Sequence, residues 1–586
     1  MLKEIAAQVL EPIMNMNGAD IERALEVPPQ SELGDLAFPC FPLAKQWRRS
    51  PQQIAVELAE RINQESDNIR MRAEASGGYV NISFDQDYYG EACLARMQEP
   101  FFGKLSIGEG QRVVIDMSSP NIAKPFSVGH LRSTMIGNAL AHLYEAAGYE
   151  VLKVNHLGDW GTQFGKLITA YKLWGDDGTL RQDPIRESLK LYVRFHEVAE
   201  QQPELEDEAR EWFRKLEAGD AETVQLWTYF VNASMVEFNR MYERLGVHFD
   251  HVLGESFYND KMDAVVAHLQ QLQLLEESDG AMVVRLDDEG MPPCLILKSN
   301  GTTIYPTRDL ATAIYRKEVM KADKLIYVVG AEQQLHFQQV FAVLGKMGYE
   351  WAQECTHVPF GLMTFEGKKM STRKGKVIFL DEVLNEAENR ALQIIEDKNP
   401  SLQEKGKVAS KVGIGAIIFG DLKSSRMLSV DFNLEDALRY EGETGPYVQF
   451  TLVRAKSLLI KGGWTSYSDC PADTGVLGKD ASECAGEQSS MKSTAAGGVS
   501  QEAWICLKSL SKYERALQMA VDSNEPSIFA RYLLDAAKQF NRYYHQEQIL
   551  VENEIARRHK LRIVAAVAHV LEAGLNLLGV EAPEHM

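Results

Sequence analysis

The chain has 586 residues, of which 45% are hydrophobic and 25% are charged, as is ordinary for globular proteins, and this length predicts about four domain-sized units. Its formal net charge of −21 repels polyanions, so composition alone argues against nucleic acid as a partner unless basic surface is concentrated locally. Seven scattered cysteines without a CxxC pair argue for neither a disulfide framework nor a zinc site. The sequence has no signal-peptide pattern and no apolar run long enough to span a bilayer, which predicts a cytoplasmic protein without a membrane partner.

The first segment, residues 1–110, contains both helical and strand patterns. Ile54 to Ile62 has helical periodicity, and Gly78 to Phe84 has the pattern of a strand. These elements predict a small α/β domain. Its role is open at this point, because a capping domain would have the same pattern.

A strand, a helix and a second strand follow. Arg112 to Ser119 (RVVIDMSS) is an apolar run typical of a strand buried in a parallel sheet. A loop then leads into a helix that begins near Leu131, ends at Gly148 and precedes a second strand, Val151 to Val154. Such units cross over right-handedly almost without exception, which predicts a parallel α/β sheet.

The sequence Ser127-Val128-Gly129-His130 lies at the start of that helix. Unpaired backbone N–H groups and the helix dipole attract anions there, Gly129 lets a ligand approach the backbone, and His130 can donate to a phosphate oxygen. A capped turn with an ordinary surface histidine remains the alternative for this segment alone.

The chain beyond this unit predicts two insertions in the sheet domain. Residues 174–244 are helical and highly charged, and in residues 282–298 two strand-like runs flank Asp287 to Gly290 as a hairpin. Tyr305 and Asp309 are four residues apart, a spacing that puts them on one face if the segment is helical. Leu325 to Val329 then returns the chain to the sheet.

A basic segment follows another strand-like stretch, Thr356 to Phe365. Its cations are Lys368, Lys369, Arg373, Lys374 and Lys376. Mobile cations suit a phosphate that gains charge as pyrophosphate leaves. A solvated charge run is the alternative interpretation.

The last third of the chain is predominantly helical, and aromatic residues are spread through it: Tyr440, Tyr447, Phe450, Tyr532, Phe540, Tyr543 and Tyr544. Such residues usually form a core, but some could stack on unpaired bases. Residues 462–500 are rich in Gly, Ser, Ala and Asp, which predicts a flexible loop with no assigned function.

Six ordered motifs carry a resemblance to a known family: SSPNIAKPFSVGHLRST (118–134), NHLGDWGTQFG (155–165), YPTRD (305–309), GAEQ (330–333), KMSTRKG (369–375) and TGPYVQF (444–450). With them the chain resembles the class I aminoacyl-tRNA synthetases, whose signatures are HIGH and KMSKS, and among these the arginyl-tRNA synthetase family. Two positions depart from the class signatures. Ser127 stands at the first histidine of HIGH, and Thr372 stands at the second lysine of KMSKS, whose charge Lys374 is expected to supply.

The resemblance implies an α/β fold with three parts. A Rossmann-type parallel-sheet catalytic domain is expected at 111–404, with insertions near 174–244 and 282–298. The small α/β domain at 1–110 is expected to contact the tRNA elbow. A helical bundle at 405–586, with the flexible loop at 462–500, is expected to bind the anticodon.

The implied reaction is attack of the arginine carboxylate on the α-phosphate of ATP, with Mg²⁺, followed by transfer of arginine to the terminal ribose of tRNA(Arg). The expected catalytic residues are His130, Lys369, Lys374 and Lys124. The expected ATP-binding residues are Ser127, Gly129, His130, His156, Gly158, Asp159, Lys369, Met370 and Ser371. No metal-binding side chains are expected, and the protein is expected to act as a monomer. In this family activation generally requires tRNA.

An arginine pocket must offer carboxylates to a permanently charged, planar guanidinium. The resemblance maps the arginine-binding positions onto Asp116, Asn121, Tyr305, Asp309 and Gln333. Asp309 could instead pair with Arg308 or cap a helix, and Asp116 could be an ordinary acid at a strand end. Tyr543, Tyr544 and Met586 are expected to contact tRNA from the surface.

Two other functions compete with a synthetase. A small-molecule adenylyltransferase shares the phosphate-binding turn but needs no aromatic helical domain. A non-catalytic tRNA-binding relative would be favoured if His130, Lys369 or Asp309 were missing, and all three are present.

Overall fold

The computed structural model describes residues 2–99, 102–299, 301–365, 378–464 and 498–586. The chain divides into two compact units, each formed from separate stretches of sequence. Unit 1 comprises Met1–Gly103, Phe450–Ala516 and Tyr532–Ala573, and unit 2 comprises Lys104–Gln449, Leu517–Arg531 and Gly574–Met586.

The strands in chain order are β1 (Leu36–Pro39), β2 (Met71–Ser76), β3 (Tyr79–Phe84), β4 (Arg112–Asp116), β5 (Glu150–Asn155), β6 (His251–Val252), β7 (Glu276–Ser278), β8 (Ala281–Val284), β9 (Cys294–Leu297), β10 (Lys324–Gly330), β11 (Cys355–Phe360), β12 (Met363–Phe365) and β13 (Val430–Phe432). The helices of the first half are α1 (Leu2–Met14), α2 (Gly18–Ala24), α3 (Phe41–Trp47), α4 (Pro51–Gln64), α5 (Ser66–Ile69), α6 (Gln86–Met97), α7 (Val128–Ala146), α8 (Thr162–Trp174), α9 (Asp177–Gln182), α10 (Pro184–Ala199), α11 (Glu204–Glu217), α12 (Ala221–Leu245) and α13 (Met262–Gln271). Those of the second half are α14 (Tyr305–Glu318), α15 (Gln334–Lys346), α16 (Leu380–Lys398), α17 (Lys405–Leu422), α18 (Leu434–Ala437), α19 (Gly445–Lys461), α20 (Gln501–Leu510), α21 (Tyr513–Asp522), α22 (Pro526–Gln546) and α23 (Glu554–Leu577).

Unit 2 is organised around a five-stranded sheet in the order β11-β10-β4-β5-β6, and every neighbouring pair in it is parallel. The predicted Rossmann-type α/β fold is therefore confirmed. The chain runs outward from β4 in one direction through β5 and β6, and in the other through β10 and β11. The crevice between β4 and β10 is thus the topological switch point, where sheets of this type bind ligands beyond the carboxyl ends of their strands.

The core of unit 2 explains why helix α14 has a fixed position. Leu310 on α14, Leu269 on α13 and Leu344 on α15 are fully buried in one hydrophobic cluster with residues of β4 and β10. The spacing of apolar residues along α14 directs one face into this cluster.

The two predicted insertions contain the expected secondary structure. Helices α9 to α12 cover most of residues 174–244, and β8 pairs antiparallel with β9 around a 3-10 turn at Asp287–Glu289. A third strand, β7, also pairs with β8. Its sequence Glu-Glu-Ser is polar, so hydrophobic patterning did not predict it.

Unit 1 contains the antiparallel sheet β1-β3-β2, which confirms the strand expected at Gly78 to Phe84. The Asp35 carboxylate accepts hydrogen bonds from Trp504 Nε1 at 2.8 Å, Lys508 Nζ at 2.7 Å and the Phe84 N–H at 2.9 Å. Trp504 is fully buried. This carboxylate therefore joins α20 to the N-terminal sheet, although the two are more than 400 residues apart in sequence.

The predicted domain boundaries follow the chain, whereas the compact units combine distant stretches of it, so the boundaries stay predictions. Most of the predicted loop at 462–500, residues 465–497, lies outside the described residues. Within the described part of the chain, no helix is both long enough and apolar enough to cross a membrane.

Candidate active site

The segment between β4 and α7 has an unusual backbone conformation. Ser118, Ser119 and Ala123 have φ values of 69°, 49° and 60°, in the left-handed region that non-glycine residues rarely occupy. Their N–H groups donate hydrogen bonds, in the same order, to side chains of three other elements: Ser133 Oγ at 3.0 Å, Asn155 Oδ1 at 3.2 Å and Ser234 Oγ at 2.9 Å. The surrounding structure therefore maintains a strained segment, as is common at functional sites.

Asn121 is tied to Gly158, which joins the first two motifs. The two residues form a parallel backbone bridge, in which Ile122 N–H donates to Gly158 O and Gly158 N–H donates to Pro120 O, both at 3.1 Å. A Cβ atom on Gly158 would lie 2.6 Å from Asn121 Oδ1. Only glycine allows this approach, so Gly158 determines where the Asn121 amide lies.

Ser127 and His130 form a reciprocal cap at the start of α7. The Ser127 N–H lies 3.1 Å from His130 Nδ1 and donates to it, and Ser127 Oγ lies 3.2 Å from the same atom. Burial, with a smaller contribution from the Lys124 charge, lowers the pKa of His130 to about 4. The imidazole is therefore neutral near pH 7, and because Nδ1 accepts a hydrogen bond its proton resides on Nε2, which can donate to a phosphate. Gly129 is exposed beside it.

The basic segment that carries Lys369, Met370, Ser371 and Lys374 lies outside the described residues. The chain that follows it, however, returns directly to the start of α7. Phe379 forms an antiparallel bridge with Ser127, and Leu380 N–H donates to Phe126 O at 3.1 Å. Lys124 lies in the same region, with its ammonium 5.6 Å from the centre of the Tyr192 ring.

Asp116 and Asp309, which are 193 positions apart, both lie close enough to His156 for their charges to affect its pKa. Burial lowers the pKa of His156, and the negative charges of Asp116, Asp309 and Asp159 oppose this effect. Burial also raises the pKa of Tyr327 well above its usual value, and the same two carboxylates Asp116 and Asp309 contribute. The structure therefore brings together two of the predicted arginine-binding acids and one predicted ATP-binding histidine.

Asp116 is not an ordinary acid at a strand end. Its side chain is 8% exposed and lies 2.8 Å from Arg316, which is 1% exposed, while Ser119 Oγ donates to its other oxygen at 2.9 Å. The sequence interpretation missed Arg316. Its position seven residues, or two helical turns, after Asp309 was the signal that could have revealed it.

Tyr305 and Asp309 lie one turn apart on α14, as the spacing predicted. Asp309 does not pair with Arg308. Its Oδ2 lies 2.5 Å from His336 Nε2, and Arg308 instead pairs with Glu255 at 3.3 Å. Tyr305 is 63% exposed at the first turn of the helix.

Glu255 is a further carboxylate that sequence reasoning missed, because it lies in a polar segment without a motif. Burial raises its pKa to about 7, Arg308 opposes this shift, and the negative charges of Asp309 and Asp159 add to it. Asp159 accepts hydrogen bonds from the Ser256 N–H at 2.8 Å and Ser256 Oγ at 2.6 Å. The region is therefore acidic, and several of its charges already have partners.

Gln333 is exposed on a short 3-10 helix at the carboxyl end of β10. It therefore lies on the strand next to β4, at the edge where ligands bind in sheets of this type. Its contact with arginine stays a prediction.

One of the three predicted tRNA contacts is wrong as a surface contact. Tyr543 is fully buried, because it faces the interior of the helical region from α22. Its neighbour Tyr544, about 100° further round the helix, is partly exposed, with the Arg454 guanidinium 4.9 Å from its ring centre. Met586 is partly exposed, and its carbonyl accepts from Asn399 Nδ2 at 3.4 Å.

Three family models match successive parts of the chain. The model "Arginyl tRNA synthetase N terminal domain" matches residues 1–84. The model "tRNA synthetases class I (R), catalytic domain" matches residues 97–434. The model "DALR anticodon binding domain" matches residues 477–586.

Curated relatives match over nearly the full chain. An arginine–tRNA ligase 2 of Bacillus anthracis is 51% identical over 96% of this chain and 95% of its own length. An arginine–tRNA ligase of Exiguobacterium sibiricum is 47% identical over 100% of both chains.

A solved structure also matches. The arginyl-tRNA synthetase of Thermus thermophilus superposes with a TM-score of 0.78 at 28% identity, covering 100% of this chain and 99% of the other. These full-length matches favour a synthetase over both a small-molecule adenylyltransferase and a non-catalytic relative. The chain belongs to the arginyl-tRNA synthetase family, in class I of the tRNA synthetases.

Proposed function

We propose that this chain activates L-arginine with ATP to arginyl-adenylate and then transfers arginine to the terminal ribose of tRNA(Arg). The convergence of the charges of Asp116 and Asp309 on His156, in the same sheet unit as the helix start at Ser127 and His130, is the observation that carries this proposal. It gives one crevice a place for a guanidinium and a place for a triphosphate. The protein acts in the cytoplasm as a monomer, and its partners are ATP, L-arginine and tRNA(Arg).

ATP phosphates bind at the N-terminus of α7 in this proposal. The N-terminal end of α7 attracts them through the helix dipole, neutral His130 donates to them, and exposed Gly129 admits them to the backbone. Ser127 Oγ lies 3.2 Å from His130 Nδ1, so in this proposal the serine helps to hold the imidazole at a position where the class has histidine. Lys124 adds positive charge from beside the helix, and Lys369, Met370, Ser371 and Lys374 complete the ATP site.

The adenosine side lies at the second motif. His156, Gly158 and Asp159 follow β5, and Gly158 is fixed against Asn121. An adenylate formed there has its arginyl end near Asn121 and Gln333, which would bind the α-amino group. Asp309, Asp116 and Tyr305 then enclose the guanidinium, with Asp309 as its direct partner.

Mg²⁺ neutralises triphosphate charge in reactions of this type and enters with ATP in this proposal. Within the described residues there is no group of three or more His, Cys, Asp or Glu side chains that could hold a metal ion. The donor set here is therefore the ATP phosphates, and the protein contributes the N–H groups and cations around them.

In-line attack by the arginine carboxylate on the α-phosphate requires positioning and charge stabilisation more than covalent chemistry. The crevice supplies the positioning from two rigid elements, α7 and α14. The transfer step then brings the terminal ribose of tRNA to the adenylate, by class resemblance first at its 2′-hydroxyl. Tyr544 and Met586 are the proposed surface contacts with tRNA.

Pyrophosphate exchange into ATP, measured over a panel of amino acids with and without tRNA, tests this function. We expect exchange with arginine and tRNA present and none with lysine, citrulline or ornithine. Exchange that does not depend on arginine would remove the substrate assignment. Arginine-dependent exchange that never charges tRNA would support an adenylyltransferase instead.

A further inference from the structure

His336 contacts Asp309, one of the proposed arginine-binding acids, yet it belongs to none of the motifs that predicted those residues. Its Nε2 lies 2.5 Å from Asp309 Oδ2, and both side chains are about one-quarter exposed, at 23% and 24%. We take Nε2–H as the donor and the carboxylate oxygen as the acceptor. A charge-assisted bond of this length fixes the plane of the carboxyl group.

The two oxygens of Asp309 differ in their contacts. Oδ2 is bound to His336, and among the described residues no hydrogen bond is made to Oδ1. A carboxylate held at one oxygen presents the other in a fixed direction. A freely rotating carboxylate would lose that direction and part of its affinity for a planar guanidinium.

His336 is itself held firmly. Helix α15 begins directly after Gln333, and His336 lies in its first turn. The next residue, Phe337, is buried. The Phe337 ring stacks on His357 with centroids 4.7 Å apart and planes 24° apart, and His357 Nε2 lies 3.0 Å from Val329 O. The start of α15 is therefore fixed to β10 and β11, and so is the histidine that orients Asp309.

We propose that His336 is a positioning residue for arginine specificity, which orients the Asp309 carboxylate so that Oδ1 meets the substrate guanidinium. This inference rests on the proposed function and deepens it. His336 connects two segments that the substrate must contact together: the α14 face with Tyr305 and Asp309, and the start of α15 beside Gln333. It acts through Asp309 and does not touch the reacting phosphate.

The test compares three variants in tRNA-dependent pyrophosphate exchange with arginine. His336→Ala should raise KM for arginine about tenfold, while KM for ATP and kcat change less than about twofold. His336→Gln, whose amide N–H can replace Nε2–H, should restore KM to within about threefold of the unmodified protein. His268→Ala is the matched control, because His268 is also partly buried but packs against Tyr349 outside the pocket.

Each outcome decides the proposal. If KM for arginine stays within twofold in His336→Ala, or if Gln behaves like Ala, the positioning role is wrong. If His336→Ala does not fold, as judged by its melting temperature, the His336→Gln variant still decides. A KM for arginine within about threefold of the unmodified protein supports the positioning role, and a larger increase in KM contradicts it. A wild-type protein without arginine-dependent exchange would overturn the proposed function itself, which is a distinguishable result.

Discussion

At the scale of single residues, the acidic crevice is already partly neutralised before a substrate arrives. Arg316 lies against Asp116, Arg308 lies against Glu255, and His336 contacts Asp309. Uncompensated buried carboxylates would be costly, so these partners are what allow the acids to be gathered at one place. Asp309 differs from Asp116 in keeping one oxygen without a hydrogen bond among the described residues.

Replacing Asp309 with Asn should therefore affect arginine more than ATP. The substitution keeps the size of the side chain but removes the charge, and a hydrogen bond to a charged group contributes about 1.5–3 kcal/mol. We expect KM for arginine to rise roughly 10- to 100-fold, with KM for ATP nearly unchanged. Exchange kinetics at varied arginine and fixed ATP measure this difference.

A suitable control is Asp288→Asn, because the Asp288 side chain is 94% exposed in the hairpin between β8 and β9. It should leave both KM values unchanged. An Asp309→Asn protein with unaltered KM for arginine would contradict the pocket role of Asp309.

Glu255 predicts a pH dependence of arginine binding. Its pKa is raised to about 7, so the group is neutral below that pH and becomes negative as pH rises from 6 to 8. The added negative charge near Asp309 attracts the substrate cation, so KM for arginine should fall roughly three- to tenfold over this range. Glu255→Gln should flatten that part of the profile. Glu350→Gln, at an exposed position, is the control and should give the same dependence of KM on pH as the wild-type protein. If Glu255→Gln also gives the wild-type dependence, titration of Glu255 does not affect arginine binding.

The motifs predicted which residues meet at the site better than they predicted the partners of those residues. Tyr305 and Asp309 could be assigned from a spacing of four, which the helical repeat converts directly into one face. The ion pairs of Asp116 and Arg308 could not, because each joins residues brought together only by the tertiary fold. For the same reason a run of two tyrosines at 543 and 544 did not reveal which one faces the interior.

At the scale of elements, one buried arginine connects helix α7 to the chain on both sides of the basic segment. Arg132 is 1% exposed, and its Nε donates to Asp421 Oδ1 at 2.8 Å. Its Nη1 donates to Gly361 O at 2.7 Å and Leu428 O at 2.8 Å. Gly361 and Leu428 directly precede the paired strands β12 and β13, so this side chain fixes both strands to the helix that carries His130.

Arg132→Met should be strongly destabilising. It leaves Asp421 buried without its cation, and burial already raises the pKa of Asp421 against the opposing effect of Arg132. Breaking a buried pair in this way costs about 3–5 kcal/mol, whereas replacing both partners by apolar groups is often nearly neutral. We expect the midpoint of urea unfolding to fall in Arg132→Met and to recover largely in Arg132→Met/Asp421→Leu.

The exposed pair Arg390–Glu386 provides the comparison, with side chains 38% and 50% exposed on α16. Arg390→Met should shift the unfolding midpoint very little, because exposed pairs contribute about 0–1 kcal/mol. Equal shifts for Arg132→Met and Arg390→Met would mean that the Arg132–Asp421 pair does not hold these elements together.

Individual elements were largely predictable, because their periodicity is local. β4, β5, β10 and α7 all lie where apolar patterning located them, and the strand predicted to Ser119 ends at Asp116 because Ser118 and Ser119 adopt left-handed conformations. That turn depends on hydrogen bonds that its N–H groups donate to the side chains of Ser133 and Asn155. No property of the local sequence specifies such distant partners.

At the scale of the whole molecule, the compact units are not continuous in sequence. Residues 450–516 and 532–573 belong with the first 103 residues, through contacts such as the one between Asp35 and Trp504. A linear interpretation divides the chain where composition changes, and composition contains no information on which distant stretches pack together. The parallel-sheet architecture was predictable because strand, helix and strand succeed one another along the chain.

Net charge also has to be interpreted from the fold. Residues 405–411 and 557–562 are basic runs of the helical region that could contact tRNA. In these runs Lys560 pairs with Glu547 at 2.8 Å, Arg562 pairs with Glu91 at 2.7 Å and Lys411 pairs with Glu581 at 3.3 Å. These cations are therefore largely compensated. Arg558 is exposed, and no ion pair is present for it among the described residues.

We therefore expect few protein–phosphate contacts and a shallow salt dependence of tRNA binding. Two or three contacts predict that raising salt from about 50 to 200 mM weakens tRNA affinity by roughly 10- to 50-fold, far less than for proteins with many contacts. Arg558→Ala should weaken tRNA binding and reduce the slope of log Kd against log salt by about one. Lys560→Ala is the matched variant, which should change the slope little because Lys560 is paired. Filter binding at several salt concentrations measures both slopes, and a steep slope unaffected by Arg558→Ala would place the tRNA surface on other cations.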